Sequence, residues 1–487
     1  MKFSAVLRIL CLAFVVGLTG ELWVVDSVSG AGDDRSPPNW VEAGDEAVQN
    51  LAGMIKIDTS GPSGNETKVA QYIKAILDKE GISSEIFELE AGRGNLVARL
   101  RGNGTKRPVL LMGHTDVVGV ERDKWSVDPF GVVVKDGYLY GRGALDNKDN
   151  VAVYLEVFLL LHRLRVPLDR DVIFLAQAGE EGASRVGIGF MVAQHWDKID
   201  CEFALDEGGS IRLRDGRVHY VGVSTTEKVP RGIRLIARGT SGHGSVPLAD
   251  NAITHLAAAV AKVGSFQMPM RLNETTRAFF ERLAAISPAD EKDLYTHLDD
   301  PARSAAIQEK IRATNPRYDS MLRTSISPTI IQGGFRSNVI PAQAEARLDV
   351  RAVPGEDVDA MVATLRRLID DPAVELVRPA GGRPVSRPSG IQTEMFRALE
   401  SAQRRLFPDA ATLPVLLTGA TDMAQLRARG VQAYGLDPPA SLEETTRVHG
   451  NDERASVEGI RQFVELVYGA VTAVAAANRP GLPSAPR

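Results

Sequence analysis

Apolar positions along the first half of the chain alternate between helical spacing and short continuous runs. Helical spacing, with apolar residues every three to four positions, covers 47–57, 68–81 and 151–164. Short apolar runs typical of buried strands lie at 84–89, 95–100, 109–112, 171–176 and 202–205. Helices that alternate with apolar strands predict an α/β fold, in which helices cover a sheet.

After residue 224 the pattern changes and then returns. Strands are predicted at 233–237, 329–332, 344–350 and 374–377, and helices at 251–263 and 357–369. This β-α-β-β-α-β order predicts a ferredoxin-like α+β unit, with a long helical excursion at 271–323. The α/β pattern resumes with helices at 394–406 and 457–475 and strands at 414–417 and 431–436. We therefore predict an α/β domain made of residues 40–223 and 383–476, interrupted by a smaller domain at 224–382 and followed by a disordered Pro-rich tail at 477–487.

The first 31 residues have the three parts of a secretory signal peptide. Lys2 and Arg8 precede an apolar run at 9–18, and small residues follow up to Ala31. The run is shorter than the ~20 residues that span a bilayer, although an uncleaved membrane anchor is the alternative. We expect an exported protein, periplasmic or secreted, with no stable membrane insertion once the signal is removed.

Composition narrows the class of protein. The 487 residues are 44% hydrophobic and 24% charged, with a net charge of −5, as in an ordinary soluble globular protein. The absence of a basic balance argues against a nucleic-acid binder. Cys11 lies in the predicted signal, so Cys201 alone could form neither an internal disulfide nor a cysteine-based metal site.

Histidine and acidic side chains follow the apolar runs at the points where those runs end. His114 and Asp116 come directly after the run at 109–112, on the same face of an extended segment. Similar segments elsewhere carry Asp146, Glu180–Glu181, Asp206–Glu207 and His449. Alone, each reads as a solvated pair, a turn or a helix cap. Together they predict one site, because ligands bind beyond the carboxyl ends of the strands in open α/β sheets.

Two histidines and several carboxylates without cysteine suit a divalent cation, zinc above all, with manganese or cobalt tolerated. A carboxylate shared between two ions would give a two-metal site with the ions about 3.5–4 Å apart. In an adjacent pair such as Glu180–Glu181, one glutamate would bind metal while its neighbour takes a proton from water.

The segments GHTDVV, DGYLYGRGALDNK, GEEG, ALDEGG and VHGNDER together resemble the M20 family of metallopeptidases, in its carboxypeptidase S-like and aminoacylase-like branch. The likeness runs from about Trp40 to Tyr468. It implies a di-metal peptidase catalytic domain with an inserted lid, and the following roles: His114 and Glu207 on one metal, Glu181 and His449 on the other, Asp146 bridging, Glu180 as general base and Asp116 orienting His114. Asp206 is the alternative to Glu207.

The resemblance also implies that the inserted domain is a lid that forms a homodimer. His243 in GTSGHGSVP would then reach the partner's site and stabilise the oxyanion. Asn338, Arg383 and Gly419 would contact substrate, with Arg383 as a clamp for a carboxylate and Arg387 close by.

The expected activity is zinc-dependent hydrolysis of an amide bond next to a free carboxylate, in a dipeptide, a peptide C-terminus or an N-acyl amino acid. One alternative is a deacylase of a biosynthetic N-acyl intermediate, against which the signal peptide counts. Another is a non-catalytic binding protein on the same fold, against which the complete set of predicted ligands counts.

Overall fold

The computed structural model describes residues 38–61, 64–379 and 382–477, so the predicted signal peptide and most of the Pro-rich tail lie outside the described residues. The helices are α1 (Trp40–Ile55), α2 (Glu66–Lys79), α3 (Lys148–Arg163), α4 (Ile188–Gln194), α5 (Trp196–Ile199), α6 (Ala252–Ser265), α7 (Glu274–Ile286), α8 (Ala289–Thr296), α9 (Ser304–Thr314), α10 (Pro316–Met321), α11 (Val358–Ile369), α12 (Glu394–Leu406), α13 (Met423–Ala428), α14 (Leu442–Thr445) and α15 (Val457–Ala475). The strands are β1 (Ser84–Glu88), β2 (Gly94–Leu100), β3 (Val109–His114), β4 (Val133–Lys135), β5 (Tyr138–Tyr140), β6 (Val172–Gln177), β7 (Phe203–Asp206), β8 (Ser210–Arg214), β9 (Arg217–Glu227), β10 (Val229–Pro230), β11 (Ile233–Arg238), β12 (Gly242–His243), β13 (Ser325–Gly333), β14 (Val339–Ile340), β15 (Gln343–Ala352), β16 (Val374–Val377), β17 (Ala411–Leu417), β18 (Gln432–Gly435), β19 (Pro439–Ala440) and β20 (Arg454–Ser456).

A large mixed sheet forms the centre of the fold, in the order β1-β2-β6-β3-β7-β18-β9-β8-β19, with β17 also paired to β9. Its central strands β6, β3, β7 and β18 run parallel. Every residue of β3 and β6 is buried, as expected for parallel strands covered on both faces. The predicted α/β architecture is confirmed, and the parallel order places the carboxyl ends of these strands at one edge.

Helices cover both faces of this sheet. On one face, α1, α3, α12 and α15 enclose the largest core, to which Leu51, Phe158, Phe396 and Phe463 contribute. On the other face α4 and α13 form a smaller core that includes Met191. In the part of the chain that the structure describes, no helix is both long and apolar enough to cross a membrane.

The segment after β9 forms a second, antiparallel sheet with strands in the order β16-β11-β15-β13. Helices α6 and α11 pack on it around Leu235, Leu256, Leu348 and Leu365. This order and connectivity are those of the ferredoxin-like unit predicted from the β-α-β-β-α-β pattern.

Two features differ from the simplest interpretation of the sequence. Strand β9 continues in the large sheet to Glu227 because its last residues pair with β17, so the small sheet begins at Val229. The helical excursion packs on the large sheet, with Phe279 and Phe280 of α7 against Leu413 of β17. The inserted segment therefore supplies helices to the edge of the α/β domain as well as a sheet of its own.

Candidate metal centre

Histidine 114 is the last residue of β3, and its imidazole is buried at the carboxyl edge of the large sheet. Its Nε2 atom lies 3.0 Å from Oδ1 of Asp146 and 3.6 Å from Oε2 of Glu207. Asp146 lies in the turn just before α3, whereas Glu207 directly follows β7. Three separate segments thus place one imidazole and two carboxylates around a common point.

A second group of the same kind shares the Asp146 carboxylate. Oδ2 of Asp146 lies 2.9 Å from Nε2 of His449, and that same nitrogen lies 2.9 Å from Oε1 of Glu181. In each group, the possible ligand atoms lie within 4.8 Å of one another. The two oxygens of one carboxylate therefore face two different histidines.

Asp116 connects the two groups. Its backbone carbonyl lies 2.9 Å from Nδ1 of His114, so an Nδ1–H donor there leaves Nε2 with its lone pair toward the site. Its carboxylate accepts hydrogen bonds of 3.1 Å from the backbone N–H groups of Glu180 and Glu181. Burial opposes ionisation of Asp116, yet these donors and His114 keep the pKa of its carboxyl below the usual value.

Glu180 lies beside the two groups and is held by an arginine. Nη2 of Arg383 donates to Oε1 of Glu180, while Nη1 donates to Oδ1 of Asp422 at 3.3 Å. Gln177 donates to the other oxygen of Asp422 at 2.9 Å. Burial raises the pKa of Glu180 above its usual value despite the nearby positive charges, which suits a group that accepts and releases a proton. Arg383, expected to clamp a substrate carboxylate, instead contacts these two acids here.

The structure distinguishes between the two acids of the LDEGG segment. Glu207 faces His114 and belongs to the first acid–histidine group, whereas Asp206 belongs to neither group. The reason is that successive side chains of an extended segment point to opposite sides. Asp206 is 1% exposed, and neither of its carboxylate oxygens accepts a hydrogen bond from the described residues. Burial raises the pKa of this carboxyl to about 7.

A buried ion pair that the sequence analysis missed joins the loops of Asp146 and His449. Nη1 of Arg142 contacts Oε2 of Glu453, and Leu145 N donates to Oε1 of Glu453 at 2.7 Å. Nη2 of Arg142 donates to the Gly450 carbonyl at 2.7 Å. Both residues lie within the motifs quoted above, but their pairing across 311 positions leaves no local signal in the sequence. The pair positions Asp146 and His449 relative to each other.

Of the predicted lid residues, His243 lies on the short β12–β14 ladder and Asn338 directly precedes β14. His243 is exposed, and its Nδ1 accepts a hydrogen bond from Ser245 N at 3.1 Å. Gly244 N donates to the Asn338 carbonyl at 2.8 Å. Among the described residues, no hydrogen bond or ion pair links either residue to the acid–histidine groups. Gly419 lies in the turn after β17, before the N-cap of α13.

Known proteins share both the sequence pattern and the fold. The model of peptidase family M20/M25/M40 matches residues 110–473. A probable carboxypeptidase S-like 2 of Dictyostelium discoideum is 29% identical over 373 residues, which are 74% of this chain and 70% of that protein. The N-fatty-acyl-amino acid synthase/hydrolase PM20D1 of Homo sapiens is 27% identical over 438 residues, 86% of each chain.

The fold likeness extends to solved structures. An M20 family metallo-carboxypeptidase of Sulfolobus solfataricus superimposes with a TM-score of 0.65 at 17% identity, covering 88% of this chain and 99% of that one. The family match spans the strands and loops that carry all five residues of the two acid–histidine groups. This chain therefore belongs to peptidase family M20/M25/M40 and is a metal-dependent amide hydrolase.

Proposed function

We propose that this protein is a zinc hydrolase that cleaves an amide bond next to a free carboxylate, using two ions bound by the groups described above. One observation carries the proposal, namely that the Asp146 carboxylate is divided between His114 and His449. Two-metal sites hold their ions about 3.5–4 Å apart, and a carboxylate whose two oxygens face two different histidines could serve both ions.

The donor set fits two divalent cations. Each group offers one imidazole nitrogen and carboxylate oxygens, a combination that zinc accepts and that manganese or cobalt also tolerates. The hydrogen bonds that the protonated His449 imidazole donates to Asp146 and Glu181 raise the pKa of His449 to about 10. The carboxylates that hold a proton on this imidazole would hold a cation equally well, so metal binding should release that proton.

The residues around the groups divide the remaining work. Bound divalent cations would lower the pKa of water and polarise the substrate carbonyl. Glu180 accepts a proton from the attacking water and passes it to the amide nitrogen as the C–N bond breaks. Asp116 keeps Glu180 in reach through its hydrogen bond to the backbone N–H of that residue. Arg383 fixes the side chain from the other side.

The class of substrate rests on the family and on the relatives. The names of two of them, a carboxypeptidase S-like protein and an N-fatty-acyl-amino acid synthase/hydrolase, favour an amide adjacent to a carboxylate. Dipeptides, peptide C-termini and N-acyl amino acids therefore form the panel for testing. We also propose that residues 1–31 direct export, on the strength of the signal pattern alone.

A homodimer through the small sheet is part of the proposal. Strand β13 is an edge strand whose residues from Pro328 to Gly333 are exposed. Ile331 is 60% exposed and the nearby Phe335 is 77% exposed, an apolar edge that a second copy would cover. In such a dimer His243 would meet the partner's site and stabilise the developing oxyanion.

The test compares the wild type with Glu180→Gln and with Glu281→Gln, a surface control. Zinc content and hydrolysis of the panel are measured for each protein. We expect two ions per chain in all three proteins, and turnover about 100- to 10,000-fold lower in Glu180→Gln alone. A Glu180→Gln protein that keeps full turnover would disprove the assigned base. A wild type that binds no metal would disprove the two-ion site.

A further inference from the structure

A cavity of about 200 Å³ lies directly beside the acid–histidine groups. Its lining includes Leu145, Gly208 and Val448, which are the chain neighbours of Asp146, Glu207 and His449. The backbone N–H of Gly208 donates to Oδ1 of Asp437 at 3.1 Å, so the wall of the cavity is fixed to the segment that carries Glu207. A molecule in this cavity would therefore lie next to the reacting groups.

Two guanidinium groups face the same cavity. Arg212 comes from β8 and donates to Oγ1 of Thr445 at 2.9 Å, whereas Arg317 comes from α10. Within the described residues, no carboxylate lies within 4.0 Å of the guanidinium nitrogens of Arg317. Burial lowers the pKa of Arg317, and the positive charge of Arg212 lowers it further. A partly buried cation without a close partner is costly, so an anion in the cavity would be stabilised.

The net charge of the lining residues and the volume of the cavity indicate which kind of anion fits. Asp437 is the acid of the lining, so two guanidinium groups face one carboxylate and the cavity keeps a net positive charge. The remaining wall is largely apolar, formed by Leu145, Ile211, Leu417, Pro438, Ala440 and Val448. A volume of 200 Å³ is below the ~300–1,000 Å³ of drug-sized sites, which suits an amino acid or a short acid.

The expected clamp, Arg383, is engaged differently. Its guanidinium already contacts two carboxylates, those of Glu180 and Asp422, whereas Arg317 has none within ion-pair distance among the described residues. We propose that this cavity binds a carboxylate of the substrate through Arg317 and Arg212. This inference rests on the proposed function and deepens it, because it identifies where the acid portion of the substrate lies.

The proposal also gives the helical excursion a role. Helix α10 begins after the N-cap Asn315, whose side chain accepts from Tyr318 N at 3.1 Å. Phe279 of α7 packs on Tyr318 and on the core beneath β17. These contacts hold Arg317 at the cavity from a segment that lies more than 100 residues beyond Glu207. The excursion therefore completes a pocket that the α/β domain alone would leave open.

The test measures kcat and KM of the zinc-loaded enzyme on N-acyl-leucine, its carboxamide and N-acyl-glutamate. Arg317→Gln is compared with Arg317→Lys and with Arg214→Gln, an exposed arginine of the same strand as Arg212 but outside the cavity. We expect Arg317→Gln to raise KM about 10- to 100-fold for the acids and to leave the carboxamide unchanged. Arg317→Lys should recover part of the loss, since it keeps the charge without the planar fork. Arg214→Gln should match the wild type.

The comparison of the three substrates identifies which carboxylate the cavity binds. A loss on both acids assigns the α-carboxylate, and a loss on N-acyl-glutamate alone assigns the side-chain carboxylate. Equal effects on the carboxamide and the acids, or no effect on any substrate, would overturn the proposal. Arg317→Gln should also keep or raise the melting temperature, because it removes a partly buried charge that has no close partner among the described residues.

A binding experiment separates this proposal from the proposed function. N-acetyl-leucine is titrated calorimetrically into zinc-loaded Glu180→Gln, with and without Arg317→Gln. Binding that weakens at least tenfold when Arg317 is replaced supports the cavity even if the wild type hydrolyses nothing in the panel. Unchanged binding refutes the cavity even if the hydrolysis is confirmed.

Discussion

Replacing one member of the Arg142–Glu453 pair should destabilise the protein more than replacing both. Arg142 is 2% exposed and Glu453 is fully buried. In Glu453→Gln the amide oxygen can still accept from Leu145 N, but its NH2 group then faces the guanidinium. The variant leaves a buried cation without its counter-charge, for which about 3–5 kcal/mol is typical. The bond from Arg142 to the Gly450 carbonyl remains, so we expect the lower end of that range.

The partner variant Arg142→Met has a different cost. It leaves Glu453 buried, but burial already raises the pKa of that carboxyl to about 7, so it can take up a proton near neutral pH. The charge of Arg142 lowers this pKa in the wild type, so the pKa should lie above about 7 in Arg142→Met. The cost of the variant relative to the wild type should therefore grow as pH rises above about 7 and vanish at lower pH, where the carboxyl is protonated in both folded proteins. The double variant removes both charges, and we expect a coupling energy of about 2–3 kcal/mol.

Urea unfolding of the metal-free and zinc-loaded proteins at pH 7 measures these energies. Asp78→Asn, which removes the exposed Lys74–Asp78 pair, is the control and should cost less than about 1 kcal/mol. Glu453→Gln should also weaken zinc binding about 10- to 100-fold, because the loops of Asp146 and His449 lose their common anchor. Single variants whose costs add to that of the double variant within 0.5 kcal/mol would refute the coupling.

Three other outcomes are expected. Asp116→Asn should lower kcat about 10- to 100-fold at saturating zinc, because one of the backbone N–H groups of Glu180 and Glu181 loses its acceptor. Steady-state kinetics, with the zinc content of each protein measured in parallel, tests this. His449→Ala should retain one zinc per chain in equilibrium dialysis, and loss of both ions would contradict two separate groups. Glu156 in α3 is fully buried, and burial raises the pKa of its carboxyl to about 8. Glu156→Gln should therefore become more stable than the wild type by about 1.4 kcal/mol for each pH unit between pH 4.5 and 8. Unfolding measured as a function of pH tests this, and the variant should show no gain below pH 4.5.

The sequence predicts best those strands and helices whose position in the core follows directly from their pattern of apolar residues. Buried parallel strands appear as continuous apolar runs, so β3 and β6 could be located, along with His114 at the end of β3 and Glu180 after β6. Strand β9 was not predicted, because its buried half contains the polar residues Ser224, Thr225 and Glu227. The hydroxyl of Thr225 and the carboxylate of Glu227 bond to distant partners, as when Thr421 and Arg427 donate to Glu227, which a local pattern cannot reveal.

The site also contains residues whose arrangement the sequence predicted and residues whose arrangement it did not. The position of the acids and histidines after apolar strands predicted that they meet, and the family resemblance implied which of them share an ion; the structure brings five of them into two groups. The choice between Asp206 and Glu207 needed the orientation of consecutive side chains at the end of β7. The contacts of Arg383 and the position of Arg317 depend on packing between segments far apart in the chain, so neither could be predicted from spacing. The domain boundaries and the roles of the site residues stay predictions.

The division of the centre into two groups has a consequence for biosynthesis. His114, Asp146 and Glu207 all lie in the first half of the chain, whereas His449 follows Glu207 by 242 residues. At about 5–20 residues per second, the ribosome needs roughly 12–48 s to add that stretch. During this interval the nascent polypeptide can present only one complete set of donors. We expect the ions to be acquired in a fixed order, with the second captured only after the C-terminal segment has docked.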